Sequence, residues 1–306
     1  MNNLLLKQHE TLSKFRIISL YFATALVIFS LLGIFSKGLN LGLDFTGGYL
    51  TEFTTEESLT QQNMEALLSS YLPDSFSLKS AENGRHWSVQ QADNELSLKG
   101  KVWLSDFSEQ SALTITPLDS IYIGSQVGDE LINQGGLALI TSVIMILLYL
   151  SFRFEWRLAA GSVIALCHDV IIVLGIFAWL DIPFDLTIVA SLLAIIGYSL
   201  NDSIIVGDKI REMMKRNNQQ SVESMVNLAI KATIVRTLIT SGTTLATILA
   251  VWIFAGESLA GFAMALFSGV LVGTFSSITI SATVPQLLGL SVEHYNPTEQ
   301  ELCSLP

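Results

Sequence analysis

Cysteine and charge are the two features this chain has least of. Only Cys167 and Cys303 occur in 306 residues, and 14% of the residues are charged against 50% that are hydrophobic. An ordinary soluble domain carries about 25% charged residues, so this composition excludes that class. Neither cysteine lies in the large polar segment 37–130, and that segment therefore has no disulfide framework available.

Six long stretches carry almost no charge. They cover 17–36, 131–152, 158–180, 186–206, 237–256 and 258–291. Each reaches the length of about 20 mostly apolar residues that a membrane-spanning helix needs. The first stretch follows basic residues, as a signal sequence does, but it is too long for one and no small-residue cleavage site follows it directly. The sequence therefore predicts an α-helical membrane protein with six retained spans.

Basic residues are also scarce, and their distribution orients the chain. Eleven of the sixteen Lys and Arg fall in segments on one side of the six spans, and the other five fall in 37–130. The positive-inside rule then predicts cytoplasmic termini and a periplasmic segment 37–130. That segment has fourteen Asp and Glu, and such acidity argues against nucleic acid as a partner.

Segment 37–130 is too long for a simple connection and is predicted to be a small α+β domain. Helical spacing predicts a helix over 61–71. Alternation of apolar and polar residues predicts strands over 49–54, 76–79, 86–90, 96–104 and 114–118.

The remaining chain divides into four expected parts. These are a cytoplasmic start and first helix over 1–36, five more helices within 131–291, a cytoplasmic segment 207–236 between two of them, and a cytoplasmic tail over 292–306. The polar stretch 208–231 is expected to form an amphipathic helix at the membrane interface.

Signatures of common catalytic chemistry are missing. The two cysteines lack metal-ligand spacing with the four histidines, which are His9, His86, His168 and His294. The chain also lacks a phosphate-binding glycine loop, a nucleophile elbow and a paired-carboxylate hydrolase signature. We therefore expect no metal, no cofactor and no enzymatic activity.

Ionisable residues occur inside two of the apolar stretches. His168 and Asp169 lie in the third stretch, and Asn201 and Asp202 lie late in the fourth. A charge in hydrocarbon costs at least about 2.5 kcal/mol, so such groups usually face the interior of a bundle and serve a pathway. These positions are the leading functional candidates.

Asp202 and Arg236 are expected at similar depth on antiparallel helices. A carboxylate near an arginine is held ionised, and removing the cation favours protonation, so a pair that separates and re-forms would take up and release a proton. A static ion pair, or an arginine that extends to water, explains the same residues equally well.

His168 and Asp169 are adjacent on a helix, and adjacent side chains point about 100° apart. The two are therefore not expected to pair with each other. Histidine titrates near neutral pH, which suits a proton relay, whereas the alternative role is a hydrogen bond between helices.

Small residues mark the sixth stretch. Gly269 and Gly273 form a GxxxG motif, followed by serines at the same spacing. The pattern predicts one close helix crossing.

Several blocks resemble the SecF family, the smaller membrane subunits of the bacterial SecD–SecF protein-export complex. Leu-Gly-Leu-Asp-Phe-Thr-Gly-Gly over 41–48 contains Asp44, Gly47 and Gly48, and Gly-Tyr-Ser-Leu-Asn-Asp-Ser over 197–203 contains Gly197 and Tyr198. Further similar blocks are Val127-Gly128, 152–157 followed by 168–170, 208–212, Arg236-Thr237 and 240–244. The proline of the family motif that ends in Val-Gly is absent before Val127.

The resemblance implies half of a resistance-nodulation-division type bundle, completed by SecD, with a ferredoxin-like periplasmic domain. It implies use of the proton gradient to promote movement of secreted, unfolded polypeptide across the inner membrane. Asp202 and Arg236 match the family's proton-pathway pair, with Asn201, His168 and Asp169 as further pathway residues. The implied partners include the SecYEG channel, with YajC, YidC and SecA as additional candidates.

Three alternatives remain open at this point. A proton-coupled half-exporter of small molecules would share the bundle and the buried acid. A structural scaffold of the translocon would tolerate neutral replacements of Asp202 and Arg236. A third alternative keeps the export function and replaces H⁺ with Na⁺ as the coupling ion.

Overall fold

The computed structural model describes residues 2–72, 76–81, 84–91, 102–216, 220–255, 259–292 and 295. Helices and strands alternate in the first half of the chain, and long helices make up the second half. In chain order they are α1 Asn2–Lys37, α2 Leu43–Thr46, β1 Gly48–Thr55, α3 Gln61–Tyr71, β2 Phe76–Ala81, β3 His86–Gln91, α4 Val102–Ser111, β4 Ile115–Ile123, α5 Ser125–Arg153, α6 Trp156–Leu180, α7 Leu186–Arg216, α8 Val222–Phe254 and α9 Ala260–Leu287.

The prediction of six membrane-crossing helices is confirmed. Within the described ranges, six helices are long and apolar enough to cross a bilayer, namely α1 from Lys14, α5 from Gly128, and α6 to α9. The expected interfacial helix over 208–231 was wrong, because α7 continues to Arg216 and α8 already begins at Val222. No proline interrupts 207–216, so the charged flank simply extends the spanning helix.

The segment between the first two spans folds as the predicted α+β domain. Its strands form an antiparallel sheet in the order β2-β3-β1-β4, with α3 and α4 as the two crossover helices. This βαββαβ arrangement is ferredoxin-like. Buried Phe53, Met64, Leu68 and Trp87 form the centre of its core.

One predicted strand of this domain was wrong. The expected strand over 96–104 overlaps α4, which begins at Val102, and residues 96–101 lie outside the described part. Trp103, Leu104 and Phe107 are all buried, and this spacing fits one face of a helix. Three consecutive apolar residues carry too little periodicity to separate helix from strand.

The bundle is organised around α9, which packs against α6, α7 and α8. In α6, α7 and α9, half of the residues in the most apolar stretch of the helix are buried, but only 6% are buried in α5 and 17% in α8. Most of the apolar surface of α5 and α8 is therefore not covered by other described residues.

The segment 38–48, called the junction below, connects α1 to the α+β domain and is hydrogen-bonded through its backbone to the loop before α7. Gly42 N donates to Phe184 O at 2.8 Å, and Phe184 N donates to Asn40 O at 2.6 Å. Gly47 and Gly48 follow with φ of 68° and 137°, which side-chain-bearing residues rarely adopt. The segment thus leaves α2 and enters β1 through a turn that needs glycine.

Asp44 in this junction contacts the start of α7. Its Oδ2 accepts a hydrogen bond from Leu186 N at 2.9 Å, and Asp185 Oδ1 accepts one from Ile188 N at 3.1 Å. Both bonds satisfy first-turn amide groups that have no partner inside the helix. The two carboxylates therefore fix the end of α7 that faces the α+β domain.

Candidate functional site

Asp169 is fully buried where three spanning helices meet. Its Oδ2 accepts hydrogen bonds from Ser199 Oγ on α7 at 2.5 Å and from Ser276 Oγ on α9 at 2.8 Å. His168 Nδ1 lies 2.9 Å from the other carboxylate oxygen. Both oxygens of this acid therefore have partners, and those partners connect α6, α7 and α9.

The expectation that His168 and Asp169 cannot pair was wrong. The 100° between adjacent positions separates the Cα–Cβ directions, but Nδ1 lies close to the backbone and can turn toward the next residue's carboxylate. His168 itself is buried, and its Nε2 has no hydrogen-bond partner among the described residues.

The two glycines of α9 lie directly against α7 beside this acid. A Cβ on Gly269 would lie 2.4 Å from Ile195 Cδ1, closer than atoms can approach. One on Gly273 would lie 3.2 Å from Ser199 Cβ and 3.4 Å from Asp169 Oδ2. The absence of side chains at these two positions lets α9 approach close enough for Ser276 to reach Asp169.

Asp202 is the second buried acid, and its surroundings differ. It is 1% exposed, and its Oδ2 has no hydrogen-bond partner among the residues that the structure describes. Asp202 lies 14 residues before the end of α7, and Arg236 lies 14 residues after the start of α8. By helical rise both lie about 21 Å from the end of the bundle opposite the α+β domain.

Arg236 attracts the Asp202 carboxylate electrostatically. It is exposed, however, and no ion pair within 4.0 Å joins the two in the described part of the chain. The structure thus puts the predicted pair at one depth without direct contact, and the proton-pathway role of the pair stays a prediction.

Two hydroxyl groups next to this pair in sequence are also buried without partners. Ser203 Oγ follows Asp202 on α7, and Thr237 Oγ1 follows Arg236 on α8; neither has a hydrogen-bond partner in the described ranges. Buried polar atoms are nearly always satisfied, so these two hydroxyl groups and Asp202 Oδ2 are exceptions within the described ranges.

Helix α7 contacts one acid and carries the other: Ser199, the α7 partner of Asp169, and Asp202 are both on it. Ser199 and Asp202 are three residues apart on α7 and therefore lie on the same side of it, one turn apart. A rotation or shift of α7 would displace the Asp169 hydrogen bond and the Asp202 carboxylate together.

The other predicted residues of α7 have separate positions. Tyr198 donates from its hydroxyl to Ser241 Oγ on α8 at 3.1 Å, and Ser241 accepts from Thr274 on α9 at 2.7 Å. Gly197 has open space around its Cα, and Asn201 is exposed. The predicted residues are therefore split between the interior of the bundle and its outer surface.

Ser199 and Ser276 were not predicted as site residues. Ser199 lies inside the block over 197–203, and Ser276 follows the GxxxG motif by three residues, so both were near a noted pattern. Their contact with Asp169 depends on how three helices rotate against one another, which no local pattern specifies.

These features define a class of membrane protein: a six-helix half-bundle with buried acids at its core and one ferredoxin-like domain. Family models match the description "Protein export membrane protein SecD/SecF, C-terminal" over residues 106–290 and "SecD/SecF GG Motif" over residues 32–58.

Named relatives agree with this class. The chain is 38% identical to "Protein translocase subunit SecF" of Vibrio alginolyticus over 93% of this chain and 91% of that protein. It is 37% identical to the Pseudomonas aeruginosa subunit of the same name over 90% of each chain.

A solved structure extends the comparison to the fold. The crystal structure of SecDF, a translocon-associated membrane protein from Thermus thermophilus, matches with a TM-score of 0.77 at 33% identity over 90% of this chain. The chain spans 38% of that longer protein. The predicted half of a resistance-nodulation-division type bundle, with a ferredoxin-like domain, is thereby confirmed.

The chain belongs to the SecF family of protein translocase subunits. Six apolar helices together with this membership define a multi-pass protein of the inner membrane.

Proposed function

We propose that this protein uses the proton-motive force, together with SecD, to promote movement of secreted polypeptides across the inner membrane. The observation that carries the proposal is the buried Asp202 carboxylate, one oxygen of which has no partner in the described part of the chain, at the depth of Arg236. An unsatisfied acid inside a bundle is a functional group by default.

Protonation of Asp202 would act by removing a charge. The neutral acid no longer attracts Arg236 and no longer needs polar surroundings, so the preferred packing of α7 against α8 changes. One proton moving down 100 mV supplies about 2.3 kcal/mol, which biases a two-state equilibrium severalfold or more. Ser203 and Thr237 supply hydroxyl groups along which water could bring the proton.

The α7 helix provides a physical connection from this acid to the α+β domain. Asp44 of the junction segment caps the end of α7 nearest the domain by accepting a hydrogen bond from Leu186 N. Beside that end, Asp185 Oδ2 lies 3.9 Å from Lys79 Nζ of β2. A shift of α7 would therefore be transmitted to the domain, which we propose faces the periplasm and holds or pulls the emerging polypeptide. Both termini would then be cytoplasmic.

The outer surface of the bundle supports a protein partner in the membrane. Asn201 and Arg236 are exposed polar groups on spanning helices, and α5 buries little of its surface in this chain. Polar groups at such positions are costly against lipid. We propose that SecD covers this face, and that the assembly works beside SecYEG, with YajC, YidC and SecA as further neighbours.

Inverted membrane vesicles with an imposed gradient test the energy coupling. Asp202→Asn is expected to abolish gradient-dependent translocation while leaving the ATP-driven part intact. Asp208→Asn is the matched control, because Asp208 lies on the same helix and pairs with Arg153 at 2.5 Å beyond the buried core. Unchanged gradient-dependent translocation in Asp202→Asn would reject the proposal.

Separate H⁺ and Na⁺ gradients in the same vesicles identify the ion. We expect stimulation by the H⁺ gradient alone. Stimulation by Na⁺ without H⁺, still lost in Asp202→Asn, would keep the role of the acid and replace the ion.

The partner is tested by cross-linking in native membranes. Cys167 and Cys303 are first replaced by serine, and Asn201→Cys is then introduced. The new cysteine is expected to cross-link to SecD. Recovery with a periplasmic efflux adaptor, and not with SecD or the channel, would contradict an export role.

A further inference from the structure

A cavity of about 310 Å³ opens at the end of the bundle opposite the α+β domain. It lies between α1 near the beginning of its membrane-spanning part, the start of α8 and the end of α9, and its polar lining comes from Arg16, Glu223, Thr283 and Gln286. This volume is within the range of about 300–1,000 Å³ that ligand pockets occupy. The mechanism proposed above assigns no role to these residues.

Arg16 is the unusual group in this cavity. It is 4% exposed, and its Nη1 donates to Gln286 Oε1 at 3.0 Å. Its Nε is buried and has no hydrogen-bond partner among the described residues. Glu223 attracts Arg16 electrostatically, but the described part of the chain has no ion pair within 4.0 Å at Arg16. A buried guanidinium whose hydrogen bond goes to the neutral amide of Gln286 is incompletely compensated.

Two further donors converge on the same cavity. Thr283 is 5% exposed, and its Oγ1 also has no partner in the described ranges. Val222 and Glu223 form the first turn of the 33-residue helix α8, whose leading amide groups have no intrahelical acceptor. A buried guanidinium, a hydroxyl and a helix N-terminus together form a site for a phosphate group.

The residues around the mouth of the cavity limit which class of phosphate compound can bind there. Leu287 is 69% exposed and Ile17 is 50% exposed at the cavity, and both lie at the end of apolar spans, so the ligand has an apolar part as well. Glu223 is exposed and anionic, which disfavours a ligand with net negative charge and favours one that also has a cation.

We propose that this cavity binds the headgroup of a zwitterionic phospholipid of the phosphatidylethanolamine type. Its phosphate contacts Arg16 and Thr283 at the N-terminus of α8, its ammonium group lies at Glu223, and its acyl chains follow Ile17 and Leu287. Bound lipid places an anionic phosphate beside the Arg16 guanidinium and connects α1, α8 and α9 at the membrane surface.

Native mass spectrometry of the purified full-length chain tests this site. After detergent exchange, the protein is offered equal amounts of phosphatidylethanolamine and phosphatidylglycerol with identical acyl chains. We expect preferential binding of phosphatidylethanolamine, weakened about tenfold or more in Arg16→Gln because charge-assisted hydrogen bonds are lost. Lys14→Gln, an exposed cation on the same helix, is the control and is expected to change binding less than about twofold.

Two milder variants cover the case in which Arg16→Gln fails to fold. Thr283→Val keeps the shape and charge and is expected to weaken binding about threefold or more, since one hydrogen bond is lost. Glu223→Gln removes the carboxylate proposed to contact the ammonium group, so phosphatidylethanolamine is no longer expected to bind better than phosphatidylglycerol. Equal binding of both lipids by the unmodified protein, or unchanged affinity in Thr283→Val together with an unchanged preference in Glu223→Gln, overturns the proposal.

A third arm separates lipid from free anion. Excess inorganic phosphate is expected to leave bound phosphatidylethanolamine in place, because it cannot occupy the apolar rim. Full displacement of the lipid by inorganic phosphate would assign the cavity to a soluble phosphate compound and overturn the lipid proposal.

Discussion

Asp169 on α6 and Asp202 on α7 are both buried in the same bundle, and Ser199, which bonds Asp169, lies one turn from Asp202 on α7, yet the two acids are held in different ways. Asp169 has partners at both oxygens: Ser199, Ser276 and His168. Asp202 Oδ2 has no hydrogen-bond partner in the described ranges. Arg236 attracts this carboxylate electrostatically, but the two form no ion pair within 4.0 Å there. Asp169 is held by partners at both oxygens, whereas Asp202 has one oxygen without a hydrogen-bond partner in the described ranges.

This difference separates a structural role from a switching role. An acid with saturated hydrogen bonds connects helices and resists change, because any movement leaves several buried donors unsatisfied. An acid with an open oxygen loses little when it is neutralised, so protonation can change the packing around it at low cost. We therefore propose a structural connection for Asp169, and proton coupling stays the proposed role of Asp202.

The largest expected effect on stability follows from removing Asp169. Asp169→Ala leaves the Ser199 hydroxyl and the His168 ring without their buried partner, and Ser276 Oγ keeps only Gly273 O at 3.1 Å; the change is expected to lower the free energy of unfolding by about 3 kcal/mol. Asp202→Asn is expected to lower it by less than about 1 kcal/mol, since no hydrogen bond to Oδ2 is lost. Unfolding in mixed micelles by titration with SDS measures both.

The two variants together decide the comparison. Equal destabilisation by Asp169→Ala and Asp202→Asn would mean that both acids are structural. Retention of stability in Asp169→Ala would mean that the serines find other acceptors, and the assignment of Asp169 would then fail.

The serine partners of Asp169 sharpen the same comparison. Ser276→Ala removes the donor from α9 and is expected to cost about 1 kcal/mol, close to typical interhelical hydrogen bonds in membranes. In the Asp169→Ala background the same change should cost almost nothing, because the acceptor is already gone. Ser277→Ala is the matched control, since Ser277 Oγ donates only within α9, to Thr274 O. Additive losses would show that Ser276 does not act through Asp169.

The sequence predicted the parts of this comparison unequally. Six spans, a small α+β domain and the choice of Asp169 and Asp202 as candidates follow from composition, periodicity and the cost of charge in lipid. The ferredoxin-like form of the domain was implied by the resemblance to the SecF family. The hydrogen bonds of Asp169 do not, because Ser199 and Ser276 reach it only through the rotation of α7 and α9.

Two predictions made from neighbouring residues in the sequence were wrong. The pairing of His168 with Asp169 was excluded from Cβ directions alone, although ring and carboxylate atoms extend beyond them. The strand expected over 96–104 was assigned from too few residues to define a period, and Trp103 instead belongs to α4. Side-chain reach and tertiary packing decided both cases.

The next effect concerns the far end of α7, the helix that carries Asp202 and that bonds Asp169 through Ser199. Asp44→Ala removes the hydrogen bond to Leu186 N and is expected to cost about 1 kcal/mol, as for other helix caps. If α7 transmits the Asp202 switch to the α+β domain, Asp44→Ala also lowers gradient-dependent translocation. Asn is the conservative control, because Asp44→Asn retains an acceptor oxygen and should restore most of both. Loss of stability with full translocation would exclude the junction from the coupling.

The smallest effect is expected at the ion pair beside that junction. Lys79 Nζ and Asp185 Oδ2 are 3.9 Å apart and partly exposed, so Lys79→Ala should change the free energy of unfolding by less than about 0.5 kcal/mol. A double-mutant cycle of Lys79→Ala with Asp185→Asn measures the coupling directly. The contact joins β2 to the start of α7, and high salt should weaken it further. A coupling energy above about 1 kcal/mol would mean that the domain is fastened to α7 from two sides, and the Asp44 hydrogen bond would then not be the principal connection between the switching acid and the domain.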